Sequence, residues 1–292
     1  MSHIVTFVAN RQAGSLTAAE AKRAQVFAQG FDLIWLDEGH AFEFSVQNVP
    51  DRAALAAALD HKQVDIFITK SRGRRKAVLV ADMDSTIVTA ETLDELAAFA
   101  GLKDKIAEIT KRAMNGELDF AAALRERVAM LKGLKLSALE ATWAEIQFCP
   151  GARELVATMR AHGATTALVS GGFTFFTSRV TAEIGFDLHR SNVLLDNGSE
   201  LTGEVAEPIL DKNAKLNTLR ELAEKRGVKL TATLAVGDGA NDLPMLQEAG
   251  LGIAYHAKPV VAAQVANRVE HTDLTSLLFA QGYPASAFKT GE

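Results

Sequence analysis

Ala77-Val78-Leu79-Val80-Ala81 runs directly into Asp82-Met83-Asp84-Ser85-Thr86. A short unbroken apolar run predicts a buried strand. This one hands two carboxylates to its carboxyl end, where open α/β sheets keep their active sites. An Asp there can act as a nucleophile toward phosphorus, and a second Asp two residues on can donate and accept a proton. Taken alone, the same residues also suit a strand-to-helix turn in which Asp84 or Ser85 caps a helix and Asp82 faces water. Other segments of the chain have to discriminate between the two.

From residue 77 onward, strand patterns alternate with long helical ones, which predicts a parallel sheet. Two more apolar runs end as the first does: 166–169 before Ser170-Gly171-Gly172, and 233–236 before Gly237-Asp238-Gly239-Ala240-Asn241-Asp242. The stretch from about 91 to 147 is helical in pattern throughout, and such an insertion at the mouth of a site predicts a helical cap. Residues 1 to about 70 predict strand, helix, strand, strand, helix, strand at 4–8, 17–29, 31–37, 41–46, 51–59 and 64–69. Thr17 and Asp51 suit helix caps, and Glu38-Gly39 suits a hairpin turn. That order is a small ferredoxin-like α+β module. Ser71-Arg72-Gly73-Arg74-Arg75-Lys76 between the two parts reads as a solvated linker. No aromatic residues interleave its charges, so it makes a poor nucleic-acid patch.

Composition agrees with this outline. The chain has 292 residues, 48% hydrophobic and 23% charged, enough for one large or two modest soluble domains. A formal net charge of -5 gives no general surface for nucleic acid, so an anionic substrate has to be met by a local cation or a metal. The single cysteine, Cys149, excludes an intramolecular disulfide, fits a reducing compartment and reads as a structural residue. Met1-Ser2-His3-Ile4-Val5-Thr6 does not read as a signal peptide. No run approaches the roughly 20 apolar residues of a membrane span, so a cytoplasmic location is expected.

The three strand ends gather Asp82, Asp84, Ser170, Asp238 and Asn241, and Lys215 adds a positive charge from a fourth segment. Phosphoryl transfer needs an aligned nucleophile, charge neutralisation on the equatorial oxygens and a protonated leaving group. Asp82 and Asp238 can supply the one or two carboxylates that Mg²⁺ prefers. Ser170 can donate its hydroxyl hydrogen to phosphate, and Gly171 and Gly172 can expose backbone N–H groups as a small anion nest. Gly237 and Gly239 permit a tight turn, but the longer glycine fingerprint of a dinucleotide fold is missing.

In this order, DMDST at 82–86, SGGF at 170–173, Lys215 and GDGAND at 237–242 resemble the haloacid-dehalogenase superfamily of aspartyl phosphotransferases. Within it the resemblance is to the phosphoserine phosphatases, over about 77–280. The resemblance implies a Rossmann-like parallel sheet with a helical cap, Asp82 as nucleophile and Asp84 as general acid and base. Ser170 and Lys215 would bind phosphate. The Asp82 carboxylate, the Asp84 backbone carbonyl and Asp238 would hold Mg²⁺, with Asn241 in the phosphate or metal environment and Asp242 in support. In the cap, Glu91 matches a glutamate that faces the substrate ammonium, Arg127 an arginine that binds its carboxylate, and Met114 and Phe120 apolar residues that close over it. The implied reaction is Mg²⁺-dependent hydrolysis of phosphoserine, the last step of phosphorylated serine synthesis in that family. The competing reading is a phosphatase or phosphotransferase for another amino-acid phosphoester, for example with homoserine as acceptor. Residues 1–72 resemble an ACT-like domain, expected to serve association such as homodimer formation, amino-acid binding or structure alone, ahead of a phosphatase core at 77–292.

Overall fold

The computed structural model describes residues 2–60, 62–114, 117–210 and 212–291, with Met114 and Lys212 described by their backbone alone. The first part of the chain forms β1 (His3–Ala9), α1 (Ala18–Phe27), β2 (Phe31–Asp37), β3 (Ala41–Val46), α2 (Arg52–Ala58) and β4 (Val64–Lys70). Its sheet has the order β2-β3-β1-β4 with every pair antiparallel, which is the ferredoxin-like arrangement. The Thr17 hydroxyl accepts a hydrogen bond from the Glu20 N–H while the Glu20 carboxylate accepts one from the Thr17 N–H, a capping box that starts α1. Asp51 starts α2 by accepting from the Ala54 N–H. Phe7, Phe42 and Phe44 are fully buried in one aromatic stack, and Ala21, Ala24, Leu55 and Leu59 of the two helices pack in the same cluster.

The second part continues with β5 (Val78–Ala81), α3 (Thr92–Ala98), α4 (Lys103–Met114), α5 (Phe120–Ala129), α6 (Ser137–Glu145), α7 (Ala152–Ala161), β6 (Thr165–Phe173), α8 (Thr174–Ile184) and β7 (Leu188–Asn192). A hairpin follows, β8 (Leu194–Asp196) and β9 (Leu201–Val205), and then α9 (Lys212–Lys225), β10 (Thr233–Gly237), α10 (Leu243–Glu248), β11 (Leu251–Tyr255), α11 (Pro259–Ala262), β12 (Asn267–Val269) and α12 (Ser276–Ala280). Six strands form one sheet in the order β12-β11-β10-β5-β6-β7, parallel throughout. Along β5 the side chains alternate between two cores: Leu79 and Ala81 pack with α7 and α12, and Val78 and Val80 pack with α9 and α10. A strand buried on both faces has to be apolar without interruption, which is why β5 shows no polar alternation.

β5 lies between β10 and β6, so the chain leaves it in one direction and returns on its other side. Such a reversal opens the crevice in which α/β sheets bind ligands. The stretch 91–147 is helical, as its pattern predicts: α3, α4 and α5 line that crevice and α6 packs against α3. The sequence reading missed the hairpin that braces them. Gly133 donates to the Leu201 carbonyl, Leu201 to that of Leu134 and Leu136 to that of Ser199, tying the β8–β9 hairpin to the cap. Its signal was Asn197-Gly198 between short apolar runs, a favoured hairpin turn.

The stretch 71–76 corrects the reading of a solvated linker, because Arg74, Arg75 and Lys76 are docked while Arg72 is exposed. Arg74 donates to Glu43 Oε1 at 2.7 Å, and Glu43 is buried in the first sheet. The Arg75 guanidinium lies 4.4 Å from the centroid of the Tyr283 ring. The Lys76 backbone N–H donates to Gln281, and its ammonium donates to the Thr231 carbonyl at 2.8 Å. Long basic side chains cover apolar surface with their stems while their heads reach buried acceptors, so a run of charges need not mean solvent. A second fastening comes from buried Asp65 on β4, which accepts from the backbone N–H groups of Glu270, His271 and Thr272 just beyond β12. Among the described residues no helix is long and apolar enough to cross a membrane.

Candidate active site

Asp82 follows β5 without a break, and its N–H donates to the Val236 carbonyl, extending the ladder to β10. The chain then turns sharply at Ser85, which sits at φ 55°, a left-handed conformation that a side chain other than glycine adopts only when its surroundings enforce it. Here the Ser85 N–H donates to the Ala90 carbonyl, and its hydroxyl donates to Glu91 Oε1 at 2.6 Å. One strained residue thus fixes both the turn after the carboxylates and the side chain of Glu91.

Asp84 ties three segments together. Its Oδ1 accepts from the Thr92 N–H at 2.8 Å, and its Oδ2 from the Ser170 hydroxyl at 3.1 Å. The same hydroxyl oxygen accepts from the Gly172 N–H at 2.8 Å. Gly171 is required by close approach, since a Cβ there would stand 2.7 Å from the Phe120 ring. Phe120 opens α5, so this contact sets the cap directly over the Ser170 loop.

Lys215 is 3% exposed, with its Nζ 2.7 Å from Asp82 Oδ1 and 2.6 Å from Asp242 Oδ1. Burial by itself would lower its proton affinity, but the Asp242 and Asp82 carboxylates outweigh that and raise it. Asp242 uses its second oxygen to accept from the Asp238 and Gly239 N–H groups. A Cβ on Gly237 would lie 2.3 Å from the Asp242 carboxyl carbon, so only glycine lets Asp242 fold back there. Asp82, Asp238 and Asp242 each bring a carboxylate oxygen within 4.8 Å of the others. Asp238 differs from its neighbours: it is buried, and among the described residues neither of its oxygens accepts a hydrogen bond. Lys258 Nζ stands 3.4 Å from one of them.

Crowding negative charge in a buried place raises proton affinity throughout. Burial, then the Asp242 charge, lift Asp82 well above the usual carboxylate range against the pull of Lys215. Burial lifts Asp84, although its bonds from Thr92 and Ser170 oppose this. Glu91 is pushed up to about 8 by burial and by Asp84, and Asp238 to about 6 by burial and by Asp242. Four carboxyl groups cannot all ionise here unless cations join them.

Asp82, Asp84, Glu91, Phe120, Arg127 and Asn241, with the Ser170-Gly171-Gly172 loop, line one recess between sheet and cap. Lys215, Asp238 and Asp242 stand behind Asp82. Arg127 is 7% exposed rather than on a solvated helix face. Met114, expected to close over the substrate, lies outside the described side chains. Cys149 is buried and outside the recess, and burial pushes its thiol up to about 11. Sequence reasoning missed Ser85, Thr92, Asp94, Thr110 and Lys258, whose partners lie across turns or on other helices.

Two buried carboxylates, one of them paired with a buried lysine, and a cluster of three acidic side chains stand together at the edge of a parallel sheet, the groups that phosphoryl transfer through a carboxylate requires. The profile of haloacid dehalogenase-like hydrolases matches residues 79–247, and the chain belongs to that family. Among relatives, it is 39% identical over 287 residues to the phosphoserine phosphatase of Streptomyces coelicolor, covering 96% of this chain and 70% of that one. It is 46% identical over 203 residues to the phosphoserine phosphatase of Streptococcus thermophilus, covering 70% of this chain and 94% of that one. A solved structure of a phospho-aspartyl intermediate analogue of phosphoserine phosphatase superposes with a TM-score of 0.67 at 38% identity, over 70% of this chain and 98% of that one.

Proposed function

We propose that this chain hydrolyses O-phosphoserine to serine and phosphate through an aspartyl-phosphate on Asp82. The observation that carries the substrate is that Glu91 and Arg127 line the same recess as Asp82 and Asp84. A carboxylate and a guanidinium in one closed space match the ammonium and carboxylate of an amino acid. The relatives' own substrate, as their name states it, points the same way.

A carboxylate oxygen of Asp82 attacks phosphorus in line with the bond to the serine oxygen, and that bond breaks as Asp84 gives its proton to the departing serine. The raised proton affinity of Asp84 suits it to hold that proton beforehand. Water then attacks phosphorus, Asp84 takes a proton from it, and phosphate leaves Asp82 free. To bind a phosphate oxygen the Ser170 hydroxyl would turn its one hydrogen from Asp84 to the substrate, with the Gly171 backbone lining the same recess, and Lys215 holds the Asp82 carboxylate at 2.7 Å. Phe120 and the cap exclude water from the serine side.

The donor set fits a hard cation. The side-chain donors are all carboxylate oxygens, both Asp242 oxygens are already engaged inside the protein, and among the described residues the two buried oxygens of Asp238 accept no hydrogen bond. Asp82, Asp238 and the Asp84 backbone carbonyl would hold Mg²⁺. When bound it supplies positive charge to the phosphate oxygens. We assign residues 1–72 to a separate ferredoxin-like unit, a candidate for self-association, and 77–292 to the phosphatase core with its cap. A cytoplasmic setting suits a chain whose one cysteine is a buried free thiol.

The test is phosphate release from phosphoserine, phosphothreonine and sugar phosphates, with and without chelator and with homoserine added. Phosphoserine should be preferred, chelator should abolish turnover and Mg²⁺ should restore it. Equal turnover of the sugar phosphates, or transfer to homoserine exceeding hydrolysis, would overturn the assignment.

A further inference from the structure

Arg127 does not stand in the recess unsupported. Its Nε donates to the Ala123 carbonyl one turn back at 3.2 Å, and its Nη1 donates to the Thr110 hydroxyl at 2.9 Å. That hydroxyl donates in turn to Asp94 Oδ1 at 2.7 Å. The three side chains come from α5, α4 and α3, and each is 7% exposed or less. A threonine hydroxyl has a single hydrogen. With that hydrogen held by Asp94, only lone pairs remain to face Arg127, so the carboxylate dictates which way the hydroxyl presents itself.

We propose that Thr110 and Asp94 are positioning residues that set the plane of the Arg127 guanidinium and thereby the preference of the recess for substrates bearing a carboxylate. The inference rests on reading the recess as a site for a phosphorylated amino acid. Among the described residues Asp94 and Arg127 make no direct ion pair; the hydroxyl is interposed. A direct pair would occupy the guanidinium fork with a carboxylate of the protein. The interposed hydroxyl uses one N–H, the Ala123 carbonyl a second, and a guanidinium has five. The remaining donors stay on a fixed plane along the recess, where they can grip a carboxylate in the bidentate way. The relay also joins three cap helices, so the arginine is oriented only when those helices are packed as they are here.

The experiment measures kcat and KM of the full chain with Mg²⁺ for O-phosphoserine and for O-phosphoethanolamine, which keeps the phosphate and ammonium but lacks the carboxylate. The wild type should prefer phosphoserine; if it does not, the substrate assignment itself fails, whatever the variants do. Given that preference, Thr110→Val should raise KM for phosphoserine about tenfold or more, with a smaller change in kcat, and lower the ratio of kcat/KM between the substrates by a similar factor. Thr110→Ser should restore the ratio. Asp94→Asn keeps an oxygen that can accept from Thr110 but removes the charge, and should shift the ratio the same way by less. It also carries the test if Thr110→Val fails to fold. An unchanged ratio in these variants, or equal losses on both substrates, would overturn the inference and leave a purely structural tie between helices.

Discussion

Glu91→Gln should make the protein more stable while making the site worse, and the structure sets the size of the first effect. Burial, then the neighbouring charge of Asp84, raise the Glu91 carboxyl from an ordinary 4.5 to about 8. The folded chain therefore keeps a proton on Glu91 at pH values where the unfolded chain has released it. A carboxyl shifted upward by folding destabilises the fold increasingly as pH rises above 4.5, and the penalty levels off above about 8. Linkage puts it at about 1.4 kcal/mol at pH 5.5 and at about 4 kcal/mol at pH 8. A glutamine carries no such penalty, and its amide oxygen can still accept from the Ser85 hydroxyl that holds Glu91 at 2.6 Å. Urea unfolding of wild type and variant in chelator, at pH 5.5 and pH 8, is the assay. The variant should be more stable at both, with a gap that grows by roughly 3 kcal/mol toward pH 8. Asp82, Asp84 and Asp238 titrate in both proteins and largely cancel. KM for phosphoserine should rise about tenfold or more if Glu91 pairs with the ammonium as proposed, because a neutral amide then replaces that partner. A stability gap that stays constant with pH would refute the claim that Glu91 is held protonated by its surroundings.

Three further outcomes are expected. Asp82→Asn should lower Mg²⁺-dependent phosphate release at least roughly a thousandfold; full turnover would remove Asp82 as nucleophile. Lys215→Met leaves Asp82 and Asp242 buried without their shared cation, so it should cost about 3–5 kcal/mol in denaturant, and less as pH falls, because protonation of Asp82, whose proton affinity is already raised, relieves the unpaired charge. Asp65→Ala deprives the Glu270, His271 and Thr272 N–H groups of their acceptor. It should speed hydrogen exchange at those amides and loosen the first unit from the core by about 2–3 kcal/mol; unchanged exchange would mean that the fastening is not held there.

The parts of the fold and site that could be read in the sequence are those written locally. β5, β6 and β10 announce themselves as apolar runs because strands covered on both faces are apolar through their centres, with threonine only at their starts, and Asp82, Ser170 and Asp238 could be placed because each follows such a run. Thr17 and Asp51 could be read as caps because capping spans only three residues. Glu91 and Arg127 carry no local mark of their role; without the resemblance each would pass for an ordinary helix charge. The relay of Asp94, Thr110 and Arg127 lies further still from the sequence, at separations of 16 and 17 residues across three helices whose packing no single helix specifies. Arg74 misled for the same reason: its partner Glu43 is 31 residues away, on a strand of the other unit.

These two kinds of residue divide by what they do. Those legible at strand ends would carry the phosphoryl chemistry, which needs carboxylates, a hydroxyl and an ammonium brought to one sheet edge, a demand that the parallel fold meets by itself. Those that were not legible hold or orient something else: Ser85 holds Glu91 and Thr110 holds Arg127, while Phe120, expected only to close over the substrate, also seats the cap over Gly171. Each acts across a contact between the sheet and the cap or within the cap, where the proposed function puts substrate preference rather than chemistry. A cap that repacked by a single helical turn would leave Asp82, Asp84 and Lys215 as they are and would move Arg127 off its plane. Substitutions among the cap helices should therefore change which phosphoester is cleaved before they change whether one is cleaved at all.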